Sequence, residues 1–418
     1  MGPSRVFYGW WVTLALSVAV FLSTGVRFTV GPFLKPIVAD LGIDRASFSL
    51  VVSVSLFLYG VFMPLVGRLV ERLGARPVTV AGTALLAIAV VATGQVTTLW
   101  QLYLFYGVLA ALGLAATGHV AGAAIVARWF VRRRATALSL LGGASMAGMS
   151  LLVPIAMWLI LRLGWRATYA VMGVAIFVVI TPLILWVVRD SPEALGLTPD
   201  GVPAGPAPAG PLPVERTAVA TALQTLPFWQ LCGGMFSCGF SMSLLAAHGV
   251  PMLTDHGYHE MVASGALGLL GFSSMAGALV LGVIADRWGR RPILAWLYGS
   301  RALIFAALFL VHDSPGALVL VTILGGASLS GSLAMTSALS ADIFGRFSVG
   351  SIFGTIFLVH QAGAASGAWL GGILFEAAGG YGPAFAVAIV QLLAGALVSL
   401  TIDERARCVP RLRPVVGA

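Results

Sequence analysis

The sequence predicts an all-α membrane protein in which twelve transmembrane helices form two pseudo-symmetric six-helix bundles. Of the 418 residues, 59% are hydrophobic and only 9% are charged, whereas soluble domains carry about 25% charged residues. The apolar residues occur in runs of about 20, the length that a helix needs to cross a bilayer. One loop pattern occurs twice, which indicates a duplicated half.

The repeated pattern joins two apolar runs in each half of the chain. It reads GRLVERLGARP from Gly67 and GVIADRWGRRP from Gly282, which is 215 positions further on. Each copy combines a glycine, which allows close helix packing, with an acid and arginines that can pair with each other or with a helix end. We predict that they latch the cytoplasmic ends of the helices together, the alternative being a turn that only anchors the topology. The predicted gate residues are Gly67, Glu71, Arg72, Arg76, Gly282, Asp286, Arg287 and Arg291.

Six apolar spans are predicted on each side of a long polar stretch. Their approximate limits are 9–37, 48–70, 77–96, 99–127, 135–160, 166–188, 227–252, 262–284, 292–311, 316–340, 349–374 and 381–401. The stretch contains GVPAGPAPAGPLP, which is too rich in proline and glycine to pack as a domain. We therefore expect an N-terminal bundle (1–188), a cytoplasmic linker (189–226), a C-terminal bundle (227–402) and a cytoplasmic tail (403–418). The first run is too long for a cleavable signal.

The distribution of arginines predicts the orientation of the helices. Arginines crowd into every second loop and into the tail, whereas acids outnumber arginines in the loops between them. Because short cytoplasmic loops are rich in Lys and Arg, we expect both termini to be cytoplasmic. The net charge of +9 lies in short bursts between apolar spans, so it indicates topology and contact with the lipid bilayer and argues against nucleic-acid binding.

Several motifs resemble those of the major facilitator superfamily. The two loop copies are similar to its loop signature, and RDSPEALGLTPDG from Arg189 is similar to the sequence after helix 6 in bacterial members. YGWW from Tyr8 and WFVRRRATALSLLGGASMAG from Trp129 resemble the monocarboxylate and oxalate:formate porters. The resemblance implies a major facilitator fold in a bacterial cytoplasmic (inner) membrane, functional as a monomer. It further implies transport of a small organic anion, first of all a monocarboxylate, by alternating access with proton symport or anion exchange.

The sequence departs from those porters in helix 8. They often carry Asn and, four residues later, Arg before the loop glycine, where this chain has Ser274 and Ala278. A carboxylate that leaves water would then need another cation. Arg27 in helix 1 and Arg301 in helix 9 are the candidates, because a charge inside a span is costly and usually functional. The alternatives are snorkelling for Arg27 and an ion pair or carbonyl contact for Arg301.

Three of the six histidines lie in spans that should face a central cavity: His119, His248 and His360. They matter because histidine titrates near neutral pH and the spans contain almost no Asp or Glu. We rank His360, nearest the bilayer centre, first as a substrate-binding and titrating residue; a packing role is the alternative for each. Asp255 is a candidate acid of an outer gate, or a solvated residue at the helix end. The cysteines are interpreted as packing residues.

The sequence contains no catalytic triad, phosphate loop or metal cluster, so we expect neither enzyme activity nor a metal or cofactor. The alternative function is a facilitator-type efflux antiporter for small apolar or cationic compounds. Val153 before Pro154 argues against it, because the antiporter signature has Gly-Pro there. The candidate charges are also cationic, whereas a cationic compound would require an acid. A transport-dead sensor or assembly factor on the same scaffold would need an extra domain to support it.

Overall fold

The computed structural model describes residues 7–118, 122, 125, 126, 128–130, 134–190, 192–198, 200, 217–312, 314–329, 331–344 and 349–403. Every regular element within these ranges is helical. A chain this apolar forms helices because a helix satisfies its own backbone hydrogen bonds inside a bilayer, where no water can replace them. The prediction of an all-α membrane protein is therefore confirmed.

The helices before the linker correspond to the predicted N-terminal spans. They are α1 (Tyr8–Phe28), α2 (Val30–Leu41), α3 (Arg45–Leu73), α4 (Ala75–Thr93), α5 (Leu99–Leu102), a π-helix (Tyr103–Leu109), α6 (Ala110–Thr117), α7 (Arg134–Trp186) and a 3-10 helix (Pro192–Leu195). Within α7, Gly164 has non-helical angles (φ 79°, ψ 161°). This break separates two spans, as the predicted limits 135–160 and 166–188 require.

The helices after the linker correspond to the C-terminal spans. They are α8 (Val219–Ala222), α9 (Leu226–Asp255), α10 (Glu260–Trp288), α11 (Arg290–Leu310), α12 (Pro315–Leu329), α13 (Ser332–Phe344), α14 (Val349–Ala378) and α15 (Gly382–Leu400). Within the described ranges, nine helical segments are long and apolar enough to cross a membrane, and the one from Thr136 to Trp186 includes the break at Gly164. Twelve spans therefore stay a prediction.

Two spans that the sequence predicted as continuous are interrupted. The first divides into α1 and α2 at Thr29, three residues before Pro32, which has no N–H to continue the helical ladder. The tenth divides into α12 and α13 near Gly331, whose φ of 102° lies in the region that favours glycine. A break inside a span leaves carbonyl groups without helical partners. Each break lies beside one of the two candidate arginines.

Two hydrophobic clusters fill the interior. One is built chiefly from residues between 7 and 197, and the other chiefly from residues between 219 and 402. A few members cross over, such as Ala364 and Ala368 in the first cluster and Met149 and Val153 in the second. Each half thus has a core of its own, which is the arrangement that two bundles would produce. The limits 1–188 and 227–402 stay predictions.

The repeated loops share one backbone geometry. Gly74 (φ 88°, ψ 157°) precedes α4 and Gly289 (φ 89°, ψ 156°) precedes α11. The side chain of Arg76 donates to a carbonyl at the end of α7, and that of Arg291 donates, at 3.3 Å, to the carbonyl of Ile402 after α15. The duplication seen in the sequence therefore has a structural counterpart, in which each loop is tied to the last helix of its own half.

The helices have two ends of different chemistry. We call the end with the repeated loops the motif end. The opposite end is called the acidic end, because it carries Asp40, Asp44, Asp255, Glu260 and Glu376. The halves meet through α3 with α14, α7 with α10, and α2 with α9. The candidate site lies along these contacts.

Candidate functional site

Arg27 lies inside the first span, in the last turn of α1. Its guanidinium carbon is 4.6 Å from the centre of the Tyr59 ring, and Tyr106 is a further electrostatic neighbour. The side chain is partly buried, and among the described residues no carboxylate pairs with it. The polar partner that the structure gives this guanidinium is the side chain of Tyr59, so its charge is not neutralised by a described carboxylate.

His360 lies in the middle of α14 and is 6% exposed. Its ring stacks on Phe357, with centroids 5.1 Å apart and planes 8° from parallel. Its Nδ1 is 3.1 Å from Oε1 of Gln361, whose Nε2 donates to the carbonyl of Leu56 at 3.4 Å. Because the oxygen of Gln361 faces it, Nδ1 is the donor of this hydrogen bond. Within the described residues, Nε2 has no hydrogen-bond partner.

Arg301 is fully buried in α11. Its Nη2 donates at 2.7 Å to the carbonyls of both Ser328 and Leu329, the last residues of α12. These carbonyls lack helical partners and form the negative end of the helix dipole. Its Nη1 contacts Sγ of Cys238 at 3.2 Å and Oγ of Ser241 at 3.4 Å, both on α9. Arg301 thus makes the carbonyl contact that was the alternative to ligand binding.

Arg27 and His360 contact segments that meet where the two halves pack together. Gly60 follows Tyr59 on α3, and a Cβ placed on Gly60 would be 3.0 Å from Cβ of Gln361. The ring that holds Arg27 and the amide that holds His360 are therefore next to each other across the α3–α14 contact. No described contact joins Arg27 and His360 themselves, and Arg301 lies within the C-terminal half.

His248 lies elsewhere, fully buried toward the acidic end of α9. Its Nε2 is 2.8 Å from the carbonyl of Ala368, and its Nδ1 is 3.3 Å from the hydroxyl of Tyr381. Oγ of Ser49, on the other half, is 3.4 Å from Nε2. Both ring nitrogens are thus used to hold helices together. The third candidate histidine, His119, lies outside the described residues.

A charged cluster joins the two halves at the acidic end. Asp255, the last residue of α9, pairs with Lys35 of α2 at 2.6 Å and with Arg45 of α3 at 2.7 Å. Arg45 also donates to the hydroxyl of Tyr381 at 2.9 Å, and its guanidinium lies 3.9 Å from the centre of the Phe375 ring. We call Lys35, Arg45, Asp255 and Tyr381 the acidic-end cluster. Helix α9 reaches Asp255, as a gate acid requires.

The N-terminus of α3, beside this cluster, is capped by Asp44. The backbone N–H of Ser47 donates to its carboxylate at 2.6 Å. Hydrogen bonds from Ser47 favour the charged form and hold the pKa of Asp44 below its ordinary value. The cap satisfies a backbone donor that the first helical turn leaves free, and it fixes the start of the helix that presents Arg45.

The motif end is not closed in the same way. At the acidic end, Gly372 of α14 packs against α3 so closely that an added Cβ would be 2.5 Å from Oγ of Ser49. Gly67 of α3 and Gly354 of α14 lie seven residues from Gly60 and Gln361, respectively, on the same helix faces and nearer the motif end. No described heavy atom lies within 4 Å of a Cβ placed on either. The two helices are therefore in contact at the acidic end and diverge at the motif end.

A sequence profile described as Major Facilitator Superfamily matches residues 16–314 and 231–416. The chain belongs to the major facilitator superfamily. The MFS-type transporter YcxA of Bacillus subtilis is 25% identical over 406 residues, 94% of this chain and 94% of that protein. Monocarboxylate transporter 13 of Bos taurus is 26% identical over 400 residues, 95% of this chain and 90% of that protein. The superfamily resemblance of the loop motifs is confirmed.

A solved structure shows the same fold. A bacterial homologue of the human lysosomal transporter Spinster, in an inward-facing and unoccupied conformation, superposes with a TM-score of 0.77. The two sequences are 17% identical, and the match covers 97% of this chain and 98% of the other. At this identity the similarity shows the major facilitator fold alone.

Several predicted positions are now located. Ser274, which stands where related porters often have Asn, donates to the carbonyl of Gly326 at 2.8 Å and so packs α10 on α12. Among the loop residues, Arg72 is exposed. Arg76 contacts the end of α7 through its side chain, and its backbone N–H donates to the carboxylate of Asp190 at 2.8 Å. The side chains of Ala278, Glu71, Asp286 and Arg287, and the surroundings of Gly282, lie outside the described part of the chain.

The entry motif of helix 1 has a structural role. The hydroxyl of Tyr8 donates to the carbonyl of Val187 at 2.9 Å, and its ring contacts Trp129. The indole of Trp129 donates to the carbonyl of Arg189 at 2.9 Å. Both parts of the porter-like pattern therefore join the start of helix 1 to the end of α7. In the described part of the chain, no group of His, Cys, Asp and Glu is arranged to hold a metal ion.

Four residues of these sites were not predicted from the sequence: Lys35, Arg45, Tyr381 and Cys238. A signal existed for two of them, because Lys35 and Arg45 are basic residues at an end where acids predominate. Tyr381 and Cys238 gave no signal, since a tyrosine near a helix start and a thiol in an apolar helix are typical of packing.

Proposed function

We propose that the chain is a secondary active transporter of a small organic anion, first of all a monocarboxylate, working by alternating access with proton symport or anion exchange. We place it in a bacterial inner membrane, with cytoplasmic termini and as a functional monomer. One observation carries the proposal: the guanidinium of Arg27 lies inside a span, beside a helix break and an aromatic ring, with no carboxylate partner among the described residues.

The charge of Arg27 selects an anionic ligand. An unpaired charge inside the bilayer costs several kcal/mol, about 2.5–3.5 kcal/mol on insertion scales. A bound carboxylate offsets that cost, because a guanidinium can donate two parallel hydrogen bonds to its oxygens. Tyr59 and Tyr106 can add hydroxyl donors from the same side. A cationic compound would instead meet repulsion.

A monocarboxylate fits better than a larger anion for two reasons. Within the described residues, Arg27 is the one arginine at the contact between the halves that lies inside a span, and its polar partner there is a tyrosine, so one fixed charge faces the ligand. In addition, two of the relatives are named monocarboxylate transporters of Bos taurus and Rattus norvegicus and match more than nine-tenths of this chain. One cation matched to one carboxylate leaves no second charge unpaired.

The geometry also supports alternating access. The acidic-end cluster joins the halves, while α3 and α14 diverge at the motif end. A ligand could therefore reach Arg27 from the motif end in this conformation. Opening the acidic end would require loss of the ion pairs of Asp255, and closing the motif end would bring Gly67 against a neighbouring helix. We place the motif end on the cytoplasmic side, so the conformation is inward-facing.

The test is uptake of labelled carboxylates, amino acids and cationic dyes into proteoliposomes, with and without a pH gradient. We expect uptake of a monocarboxylate that is stimulated when the outside is acid or when a counter-anion is inside. Arg27→Gln should abolish it, Arg27→Lys should retain part of it, and Arg162→Gln, which alters an exposed arginine, should leave it unchanged. Transport of dyes without carboxylates, or normal carboxylate affinity in folded Arg27→Gln, would instead support the efflux alternative.

A further inference from the structure

The duplication also relates the acidic ends of the two halves. Gly42 after α2 has a φ of 64°, and Gly257 after α9 has a φ of 88°. Gly164 within α7 and Gly379 before α15 have φ of 79° and 68°. The members of each pair are 215 positions apart, as the repeated loops are. Because the backbone turns in the same way at the same spacing, residues 215 positions apart near these glycines are structurally equivalent.

Asp40 and Asp255 are equivalent acids that make different contacts. Asp40, near the end of α2, pairs with Arg166 of its own half, which donates to its carboxylate from Nη2 at 2.8 Å and from Nε at 3.1 Å. Nη1 of Arg166 also donates to the carbonyl of Val96, after α4, at 2.8 Å. One arginine thus joins the ends of three helices within the N-terminal half. Asp255, in contrast, makes both of its described ion pairs with the opposite half.

The difference follows from the positions that carry basic residues. Three basic residues of the N-terminal half have equivalents in the C-terminal half that are not basic: Lys35 corresponds to Val250, Arg45 to Glu260 and Arg166 to Tyr381. The equivalents of the residues that bind Asp255 from the other half therefore offer Asp40 no cation, and Asp40 binds Arg166. Asp255 has a tyrosine where Asp40 has an arginine, so its described cations come from the other half.

Tyr381 also holds one of those cations. Nη1 of Arg45 donates to the carboxylate of Asp255 at 2.7 Å and to the hydroxyl of Tyr381 at 2.9 Å, so both acceptors share one donor nitrogen. The tyrosine hydroxyl accepts this hydrogen bond without adding a charge. An arginine at this position would lie beside the carboxylate of Asp255, as Arg166 lies beside that of Asp40, and its charge would repel Arg45.

We propose that the two equivalent acids have different roles: Asp40 and Arg166 form a permanent ion pair of the N-terminal half, whereas Asp255 loses its partners each time the acidic end opens. Tyr381 is the residue that leaves Asp255 dependent on the opposite half. A pair within one half moves with that half, but a pair between the halves is broken when they separate. The inference rests on the alternating access of the proposed function and holds for any substrate.

Tyr381→Arg tests the role of Tyr381, because it restores the arginine that the equivalent position has. It gives Asp255 a cation in its own half and repels Arg45, so we expect the ratio of open to closed acidic ends to rise by about tenfold or more. Tyr381→Phe, which removes only the hydroxyl, should shift the ratio less. Adding Asp255→Asn to Tyr381→Arg should cause no further opening, because both changes remove the same contacts. Fully additive effects would mean that Tyr381 acts through packing and would overturn its role.

The ratio is measured as the distribution of distances between spin labels at Thr97 and Ser314, exposed residues near the acidic end of opposite halves. Cys408 is replaced by Ser, and the native Cys232 and Cys238 are buried. Cooperative thermal unfolding identifies the variants that are folded. An unchanged distribution in a folded Tyr381→Arg protein overturns the role of the tyrosine.

The roles of the two acids are compared by the same substitution at equivalent positions. Asp255→Asn should add a long-distance population, whereas Asp40→Asn should keep the wild-type distribution, because its partner belongs to the same half. Equal opening in these two variants overturns the proposal, and this comparison decides the roles even if Tyr381→Arg does not fold. The distance measurement needs no substrate. Failure of the proposed function is therefore recognised separately, as absence of carboxylate uptake by the wild-type protein.

Discussion

The acidic-end cluster should set the balance between the two conformations, and Asp255→Asn is the change that tests it. The amide keeps the size of the side chain and removes its charge. Asp255 pairs with Lys35 at 2.6 Å and with Arg45 at 2.7 Å, and both partners belong to the opposite half. The substitution therefore weakens two contacts that exist when the acidic end is closed and are lost when it opens.

The size of the effect follows from the exposure of the three side chains. Lys35 is 40% exposed and Asp255 is 30% exposed, so this pair contributes about 0.5 kcal/mol, as exposed ion pairs do. Arg45 is 16% exposed, and its charged hydrogen bond contributes about 1.5 kcal/mol. Losing both weakens the closed acidic end by about 2 kcal/mol, which shifts the ratio of the two conformations about 30-fold.

The assay is a distance measurement between spin labels or fluorophores at Thr97 and Ser314, exposed residues near the acidic end of opposite halves. The native Cys232 and Cys238 are buried, and Cys408 is replaced by Ser. We expect Asp255→Asn to add a long-distance population. Glu260→Gln is the matched control, because this carboxylate lies at the same end and its one ion pair among the described residues is with His259 of its own half, at 3.7 Å. An unchanged distance distribution in Asp255→Asn would refute the gate.

Three further predictions concern the helix contacts and ends. Gly372→Ala should also open the acidic end, because the added Cβ would be 2.5 Å from Oγ of Ser49. Gly380→Ala should leave the acidic end closed, because no described atom lies within 4 Å of its Cβ. The same distance measurement checks both variants. Asp44→Ala should lower the melting temperature by removing a cap that contributes about 1 kcal/mol. Because the folded-state pKa of Asp44 is depressed, this contribution is present above the unfolded pKa and lost as pH falls through the folded value, so wild type and variant should converge in acid. Asp286→Ala should increase labelling of cysteine probes at the motif end; unchanged labelling would count against a latch there.

The sequence predicted the helical architecture because its signals are local. The length of each apolar run predicts a span, and Gly74 and Gly289 end helices through backbone angles that glycine adopts readily. The duplication was visible because both copies keep the same spacing. The break in the tenth span was not predicted, since the sequence there has no proline and Arg301 binds the freed carbonyls from another helix.

The sequence identified the charged and titratable residues of the candidate site, but it did not predict which residues contact each other. Arg27 and His360 stand out because charged or titratable residues are rare in spans. Their neighbours across the two halves depend on how α3 packs on α14, and the partners of Asp255 come from α2 and α3. No periodicity within one helix reports which residues face each other across two halves.

The central claim is that Arg27 binds the substrate's carboxylate, and thermal unfolding of the purified protein tests it most directly. A ligand that binds the folded state at 100 times its Kd stabilises it by about 2.7 kcal/mol. We therefore expect a transported monocarboxylate, and not its uncharged amide, to raise the melting temperature of the wild-type protein and of Arg162→Gln. Arg27→Gln should show no rise. Equal stabilisation of Arg27→Gln by the carboxylate would contradict the claim.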